Sequence, residues 1–169
     1  MLDTYRRLLD AIGHVERAFG LALIALIVVT ITVQVITRYL FNYPIIWVEE
    51  LATYAFIWGT FVGASLGLKQ GRHIKIETFV LFLPPQRAAL VRFVGFFFIA
   101  LLMVVLIKHG WTVMAMEGRS YSIALPVPIA RKWFYSVPLV VGAASMLLTT
   151  VYLMLIEARI MRGGAEPRS

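Results

Sequence analysis

Residues 38–59 read RYLFNYPIIWVEELATYAFIWG and place three charged side chains between two stretches that are apolar enough to enter a bilayer. Arg38 closes the first stretch, and Glu49 and Glu50 open the second. The Asn-Tyr-Pro sequence at residues 42–44 predicts a short turn, so the two stretches should form antiparallel neighbouring helices. The arginine and the glutamates should then lie at one depth, near a membrane surface.

The composition is that of a membrane protein. Of the 169 residues, 60% are hydrophobic and 15% are charged, whereas an average soluble domain has about 25% charged residues. The absence of cysteine excludes disulfides, thiolate metal sites and cysteine nucleophiles. The net charge of +7 fits basic residues gathered in cytoplasmic loops. No dense basic run is interleaved with aromatic residues, so we predict no nucleic-acid partner.

Four apolar segments are long enough to cross about 30 Å of hydrocarbon as helices. We place these spans at residues 18–41, 46–68, 88–109 and 133–157, within a transmembrane domain that covers residues 18–160. The first segment is full-length and lacks an obvious cleavage motif, which favours a retained anchor over a signal peptide. The predicted fold class is an all-α membrane protein with four transmembrane helices in the lipid bilayer.

Three flanking segments are assigned to the membrane surface or to solvent. Residues 1–17 carry apolar side chains at helical spacing with basic residues on the other side, which predicts an N-terminal amphipathic interfacial helix. Residues 74–83 are apolar but too short to span, and they are a candidate for a short interfacial arm on the cytoplasmic side. Residues 161–169 have the composition of a disordered cytoplasmic tail.

The distribution of lysine and arginine predicts the orientation. With both termini in the cytoplasm, eleven basic residues lie inside and five lie outside, as the positive-inside rule favours. The five outside are Arg38, Lys108, Arg119, Arg131 and Lys132. The adjacent pair at 131 and 132 departs from the rule locally, but long basic side chains at a helix end can reach the headgroups.

The sequence has little of the chemistry that an enzyme or an electron carrier needs. The histidines His14, His73 and His109 fall near predicted helix ends or in loops, and no motif of a metalloprotease, phosphate-binding loop or nucleophile elbow is present. We therefore predict no catalytic, cofactor-binding or metal-binding residues. The spans contain only mildly polar residues, which more often hydrogen-bond between or within helices than line a pathway.

The two glutamates of the opening stretch cannot both be served by one arginine. Adjacent residues on a helix point about 100° apart, so Arg38 can pair with Glu49 or with Glu50 and leaves the other carboxylate for another partner. Trp47 fits the aromatic belt at a membrane surface. Simple anchoring of helix ends in the headgroups remains an alternative for all three charges.

Three motifs together resemble one family, the small membrane subunit (DctQ-like) of tripartite ATP-independent periplasmic (TRAP) transporters. They are RYLFNYPIIWVEEL at residues 38–51, GASLGLKQGRHIKIE at residues 63–77 and SIALPVPIARKWFYSVPLVVG at residues 122–142. With four spans and this length, the resemblance covers nearly the whole chain. One departure concerns Trp133, which follows the second proline of its loop at a greater distance than is usual in the family.

The resemblance implies a scaffold role in a bacterial inner membrane. Such a subunit supports a large sodium-coupled elevator subunit (DctM-like), so sodium would bind to that partner and not to this chain. It also helps to dock a periplasmic substrate-binding protein (DctP-like) that delivers an organic acid, such as a C4-dicarboxylate or a sialic acid.

The implied contact residues fall in three groups. The charged hairpin (Arg38, Asn42, Trp47, Glu49 and Glu50) would contact partner subunits, and Arg119, Ser120 and Arg131 would form a periplasmic docking loop. Gly71, Arg72, His73 and Glu77 form a cytoplasmic motif. Two alternatives from other classes are a self-contained oligomeric four-helix channel or exporter, and the membrane anchor of a respiratory enzyme, which the positions of the histidines disfavour.

Overall fold

The computed structural model of the chain describes residues 2–70 and 84–162. Within these residues the helices are α1 (Leu2–Leu40), α2 (Ile46–Lys69), α3 (Pro85–Glu117) and α4 (Ser136–Met161), with a short 3-10 helix at Arg131–Trp133. The four α-helices are each long and apolar enough to cross a membrane. The predicted all-α membrane protein with four spans is therefore confirmed.

α1 is longer than the predicted first span because it also includes the amphipathic segment. No proline interrupts residues 2–40, and the two parts form one continuous helix. The hydroxyl of Tyr5 donates to the carbonyl of Leu148 (2.8 Å), and its ring stacks on Tyr152 with centroids 5.4 Å apart. Leu9 is buried as well. α4 therefore covers part of the face that the sequence pattern assigns to the membrane surface.

α3 begins at Pro85 and continues beyond residue 109, the predicted end of its span, to Glu117. Proline is well suited to the first helical position, where its missing N–H would have no intrahelical partner. The helix has 33 residues and is about 50 Å long at about 1.5 Å per residue. Since the hydrocarbon layer is only about 30 Å thick, part of α3 lies outside it. There the hydroxyl of Ser136 donates to Glu117, which ties the end of α3 to the start of α4.

Glycine permits the closest approaches between helices. A Cβ at Gly110 would lie 2.6 Å from a methyl group of Leu139, where α3 packs on α4. A Cβ at Gly142 would lie 2.8 Å from the Cβ of Phe61, where α4 packs on α2. Both distances are too short for a side chain, so these glycines let the backbones approach as small residues do in membrane helix pairs.

A buried polar cluster joins α1, α2 and α4. Lys69 Nζ lies 2.7 Å from Glu16 Oε2, with side chains only 10% and 13% exposed. The hydroxyls of Ser65 and Ser145 donate to Glu16 Oε1 at 2.9 and 2.6 Å. Lys69 also donates to Ser145 (2.7 Å). These four residues, the α1–α2–α4 cluster, satisfy two buried charges with each other and with two hydroxyls.

Several predictions of the sequence analysis fall outside the described residues. The interfacial arm at 74–83 does so entirely, and so does the cytoplasmic motif of Gly71, Arg72, His73 and Glu77. Most of the tail, from residue 163 onwards, is also outside them.

Candidate partner-binding surface around the α1–α2 turn

Glu50, in the first turns of α2, binds the backbone of the loop between α3 and α4 (residues 118–135, the α3–α4 loop). Its carboxylate accepts hydrogen bonds from the N–H groups of Ile123 (3.2 Å), Ala124 (2.7 Å) and Leu125 (2.9 Å). The hydroxyl of Tyr54, one turn further along α2, donates to the same carboxylate. Hydrogen bonds to an ionised acceptor are stronger than neutral ones. Glu50 therefore fixes the α3–α4 loop on α2.

The tip of the α3–α4 loop is closed by Ser122. Its N–H donates to the carbonyl of Ile129 (2.9 Å), while its hydroxyl donates to the carbonyl of Val127 (3.1 Å) and accepts from the N–H of Ile129 (3.2 Å). Further back, the N–H of Arg131 donates to the carbonyl of Ser120 (2.9 Å). Pro126 and Pro128 have no N–H to donate, so the hydroxyl of Ser122 makes hydrogen bonds across the loop tip in addition to those of the backbone.

Aromatic side chains seat the base of the α3–α4 loop on α2. The rings of Tyr54 and Phe134 are stacked, with centroids 3.8 Å apart and planes at 5°. Trp58 donates its indole N–H to the carbonyl of Trp133 (3.0 Å). The guanidinium of Arg131 lies 5.2 Å from the centroid of the Tyr135 ring, within the range of a cation–π interaction. The C-terminal end of the loop is thus packed against α2.

The α1–α2 turn is organised by Gln34, a residue of α1 that is only 5% exposed. Its amide oxygen accepts from the N–H of Ile45 (3.1 Å), and its amide nitrogen donates to Glu49 (3.4 Å). Asn42 has a φ of 50°, in the left-handed region that asparagine tolerates better than most residues. The predicted short turn is present. Gln34 binds the backbone of Ile45 at its end, and Asn42 adopts the left-handed conformation within it.

The predicted pairing of Arg38 with a glutamate is not found. Among the residues that the structure describes, the ion pairs join Lys69 to Glu16 and Arg92 to Glu157, and Arg38 is exposed at the end of α1. The physical reason is that Glu50 already has four hydrogen-bond donors, while Glu49 faces the amide of Gln34. The sequence analysis left one of the two carboxylates, without saying which, for another partner, whereas both accept hydrogen bonds within this chain.

The structure brings most of the other predicted residues to the same end of the bundle. Trp47 is partly exposed in the first turn of α2, and Arg119 is exposed where the α3–α4 loop begins. Ser120 and Arg131 pair through their backbones at the base of this loop. The sequence analysis did not identify Tyr54, Gln34 or Ser122 as organisers. Gln34 could have been suspected as the one amide in an otherwise apolar span.

Large apolar side chains are exposed around the turn and the loop tip. Those of the α1–α2 turn are Tyr39, Leu40, Phe41, Tyr43 and Ile46, and those of the α3–α4 loop are Tyr121, Ile123 and Val127. Ile123 is 87% exposed although its N–H is held by Glu50. At the end of membrane spans, exposed apolar groups beside basic ones contact the headgroup region or another protein, and this surface is a candidate for the second role.

Comparison with known proteins gives the family. The family model of the DctQ component of tripartite ATP-independent periplasmic transporters matches residues 27–159. The chain belongs to this family. It is therefore a small permease subunit of a TRAP transporter and a multi-pass protein of the inner membrane. The matched residues include both the α1–α2 turn and the α3–α4 loop.

Three relatives agree with this membership. A putative TRAP transporter small permease protein of Haemophilus influenzae is 26% identical over 144 residues, which are 85% of this chain and 89% of the relative. The sialic acid TRAP transporter small permease protein SiaQ of Vibrio cholerae is 33% identical over 75 residues, 44% of this chain and 43% of the relative. The C4-dicarboxylate TRAP transporter small permease protein DctQ of Vibrio cholerae is 40% identical over 53 residues, 31% of this chain and 23% of the relative.

Proposed function

We propose that this subunit is a scaffold for uptake of an organic acid. It supports a large sodium-coupled elevator subunit in the inner membrane and helps to dock a periplasmic substrate-binding protein. The observation that carries the proposal is the hold of Glu50 on three backbone N–H groups of the α3–α4 loop. This contact gives a loop at the end of the bundle a fixed shape for a partner to bind. The names of two relatives refer to sialic acid and to C4-dicarboxylate, which supports an organic acid as the substrate class.

The alternative of a self-contained channel or exporter is less consistent with the polar groups of the spans. The hydroxyls of Thr30, Thr32 and Thr60 donate to carbonyls one turn earlier in their own helices, at 2.6, 2.7 and 2.9 Å. Thr149 and Thr150 of α4 do the same at 3.0 and 2.8 Å. Groups that satisfy their own backbone are poorly suited to coordinate a solute in a pathway.

We propose that both termini lie in the cytoplasm, and cysteine labelling tests this orientation. The chain has no cysteine, so single cysteines can be introduced without background. Tyr43→Cys and Ile123→Cys, which are both exposed at the α1–α2 end, should react with a membrane-impermeant maleimide in intact spheroplasts. Gln70→Cys, which is exposed after α2, should react only after the membrane is permeabilised. Labelling of position 70 but not of 43 and 123 in intact spheroplasts would show the opposite orientation.

Charge reversal at Arg119 tests the docking of the binding protein. Arg119 is exposed, whereas the guanidinium of Arg131 lies over Tyr135, so Arg119 is the cleaner probe of charge. In proteoliposomes with the large subunit, Arg119→Glu should raise the KM for the loaded binding protein by about three- to tenfold, and the effect should shrink at high salt. Arg162→Glu, an exposed reversal at the other end of the bundle, is the matched control and should leave the KM unchanged. An unchanged KM for Arg119→Glu would rule out this docking surface.

A further inference from the structure

Two cavities meet between α1, α2 and α4 at the end of the bundle that contains residue 69. The first, of about 280 Å³, has charged and polar side chains among its lining residues, beside apolar ones; the charged and polar residues include Arg6, Asp10, His14, Arg17 and Lys69. The second, of about 360 Å³, is lined almost entirely by apolar groups of α1 and α2, among them Leu23, Ile27 and Phe56. Arg17 and Leu66 line both cavities, so a chamber that contains charged side chains (the polar chamber) continues into a groove with an almost wholly apolar lining.

One cation of this region has no counter-ion in the described part of the chain. Lys69 is neutralised by Glu16 at 2.7 Å, and the ring of His14 hydrogen-bonds to the carbonyl of Asp10 (2.7 Å). Arg17 is exposed and forms neither an ion pair nor a hydrogen bond with the residues at 2–70 and 84–162. Because it lines both cavities, the side chain of Arg17 lies where the polar chamber changes into the apolar groove.

The depth of Arg17 matches that of lipid headgroups. It precedes the 23 residues that complete α1 at Leu40, and these cover about 35 Å at about 1.5 Å per residue. The hydrocarbon layer is about 30 Å thick, so Arg17 lies at one membrane surface when Leu40 lies at the other. From Arg17 the groove extends along α1 towards the hydrocarbon interior, past Gly20 and Ile27.

Glycines keep the groove open. Gly59 and Gly63 of α2 both line it, and a Cβ built at either position meets no atom within 4 Å. A Cβ at Gly20 of α1 would only reach ordinary contact with Val62, at 3.7 Å. The walls are therefore set back from the groove by the absence of side chains at these positions, which leaves room for an apolar chain.

We propose that the two cavities form one binding site for a phospholipid with an anionic headgroup. The phosphate is held at Arg17, the headgroup occupies the polar chamber, and one acyl chain lies in the glycine-lined groove. A phospholipid supplies both an anion for Arg17 and an apolar chain for the groove at headgroup depth, and these two features together favour a lipid over a transmembrane helix of another subunit. Arg17 and Gly20 precede the residues that match the family model.

Native mass spectrometry of the purified full-length chain tests the proposal. Phosphatidylglycerol, the anionic probe, should be retained more strongly than phosphatidylcholine of the same chains. Arg17→Gln should lower the affinity for phosphatidylglycerol about fivefold, the effect expected of one basic residue at an anionic surface, and should remove the preference between the two lipids. Gly63→Leu fills the groove, and its Cβ meets no protein atom within 4 Å. It should weaken the binding of both lipids.

Two controls make the result decisive. Gly95→Leu makes the same change on α3, where a Cβ also meets no atom within 4 Å, and should leave retention of both lipids unchanged. Soluble glycerol phosphate, which has no acyl chain, should not displace phosphatidylglycerol.

Three results would each overturn the proposal. They are equal retention of the two lipids by the unmodified chain, unchanged lipid retention in Arg17→Gln, and unchanged lipid retention in Gly63→Leu. Displacement by glycerol phosphate would replace it with a site for a free anion. Loss of assembly with the large subunit in Gly63→Leu, with lipid retention intact, would identify the occupant as a partner helix.

Discussion

Replacing Glu50 with alanine should release the α3–α4 loop from α2. The substitution leaves the N–H groups of Ile123, Ala124 and Leu125 without their acceptor and removes the partner of the Tyr54 hydroxyl. A hydrogen bond to a charged group contributes about 1.5–3 kcal/mol. We therefore expect amide hydrogen exchange at residues 123–125 to accelerate by about 10- to 100-fold. Because the loop is proposed to dock the binding protein, substrate uptake by the assembled transporter should also fall at least tenfold.

Glu49→Ala is the matched control for this change. Glu49 is adjacent in sequence and is also a glutamate, and within the described residues its carboxylate has one long hydrogen bond, 3.4 Å to the amide of Gln34. Its replacement should leave the exchange rates of residues 123–125 within about twofold of those of the unmodified chain, since a weak exposed contact contributes little. Similar exchange rates at residues 123–125 in the two variants would contradict the account. They would show that both carboxylates anchor the helix end in the headgroups and that Glu50 does not fix the loop.

Breaking the α1–α2–α4 cluster should cause the largest loss of stability. Lys69→Met leaves Glu16 as a nearly buried carboxylate without a counter-charge, and Glu16→Gln leaves Lys69 in the same position. Removing one partner of a buried ion pair typically costs about 3–5 kcal/mol. We expect each substitution to lower the free energy of unfolding in detergent by about 3 kcal/mol, near the bottom of that range because both side chains keep some exposure.

The double replacement distinguishes the free energy that depends on the Glu16–Lys69 pair from the separate contributions of the two residues. In Glu16→Gln/Lys69→Met neither charge is stranded, so the loss of stability should be clearly smaller than the sum of the two single losses. Lys108→Met changes the same residue type at an exposed position of α3 and should alter the free energy of unfolding by less than about 0.5 kcal/mol. Additive losses in the double variant would mean that the two residues stabilise the bundle independently.

The spans and the α1–α2 turn could be predicted because their signals are local. Four apolar segments of sufficient length predict the four spans that the described part of the chain contains, and an Asn-Tyr-Pro turn between two of them makes those helices neighbours. The ends of the helices are less predictable. α3 continues to Glu117 because residues 110–117 lack proline and their polar groups can lie outside the hydrocarbon, and hydropathy alone does not reveal this.

The partners of the charged residues could not be predicted because they are distant in sequence. Glu50 binds a loop 73 to 75 residues away, whereas the sequence analysis looked for its partner at Arg38. Glu16 meets Ser145 across 129 residues, and no spacing rule connects them. A glutamate within the amphipathic segment reads as part of a solvated face, and only the packing of α1 against α2 and α4 shows that it is buried.

Sodium-driven uptake in proteoliposomes tests the central claim of a scaffold most directly. Vesicles should be prepared with this chain alone, with the large subunit alone and with both, each with and without the loaded binding protein and an inward sodium gradient. The scaffold account predicts no uptake by this chain alone under any condition, and full uptake only when both membrane subunits, the binding protein and the gradient are present together. Concentrative uptake by vesicles that contain only this chain, or full uptake in its absence, would contradict the account.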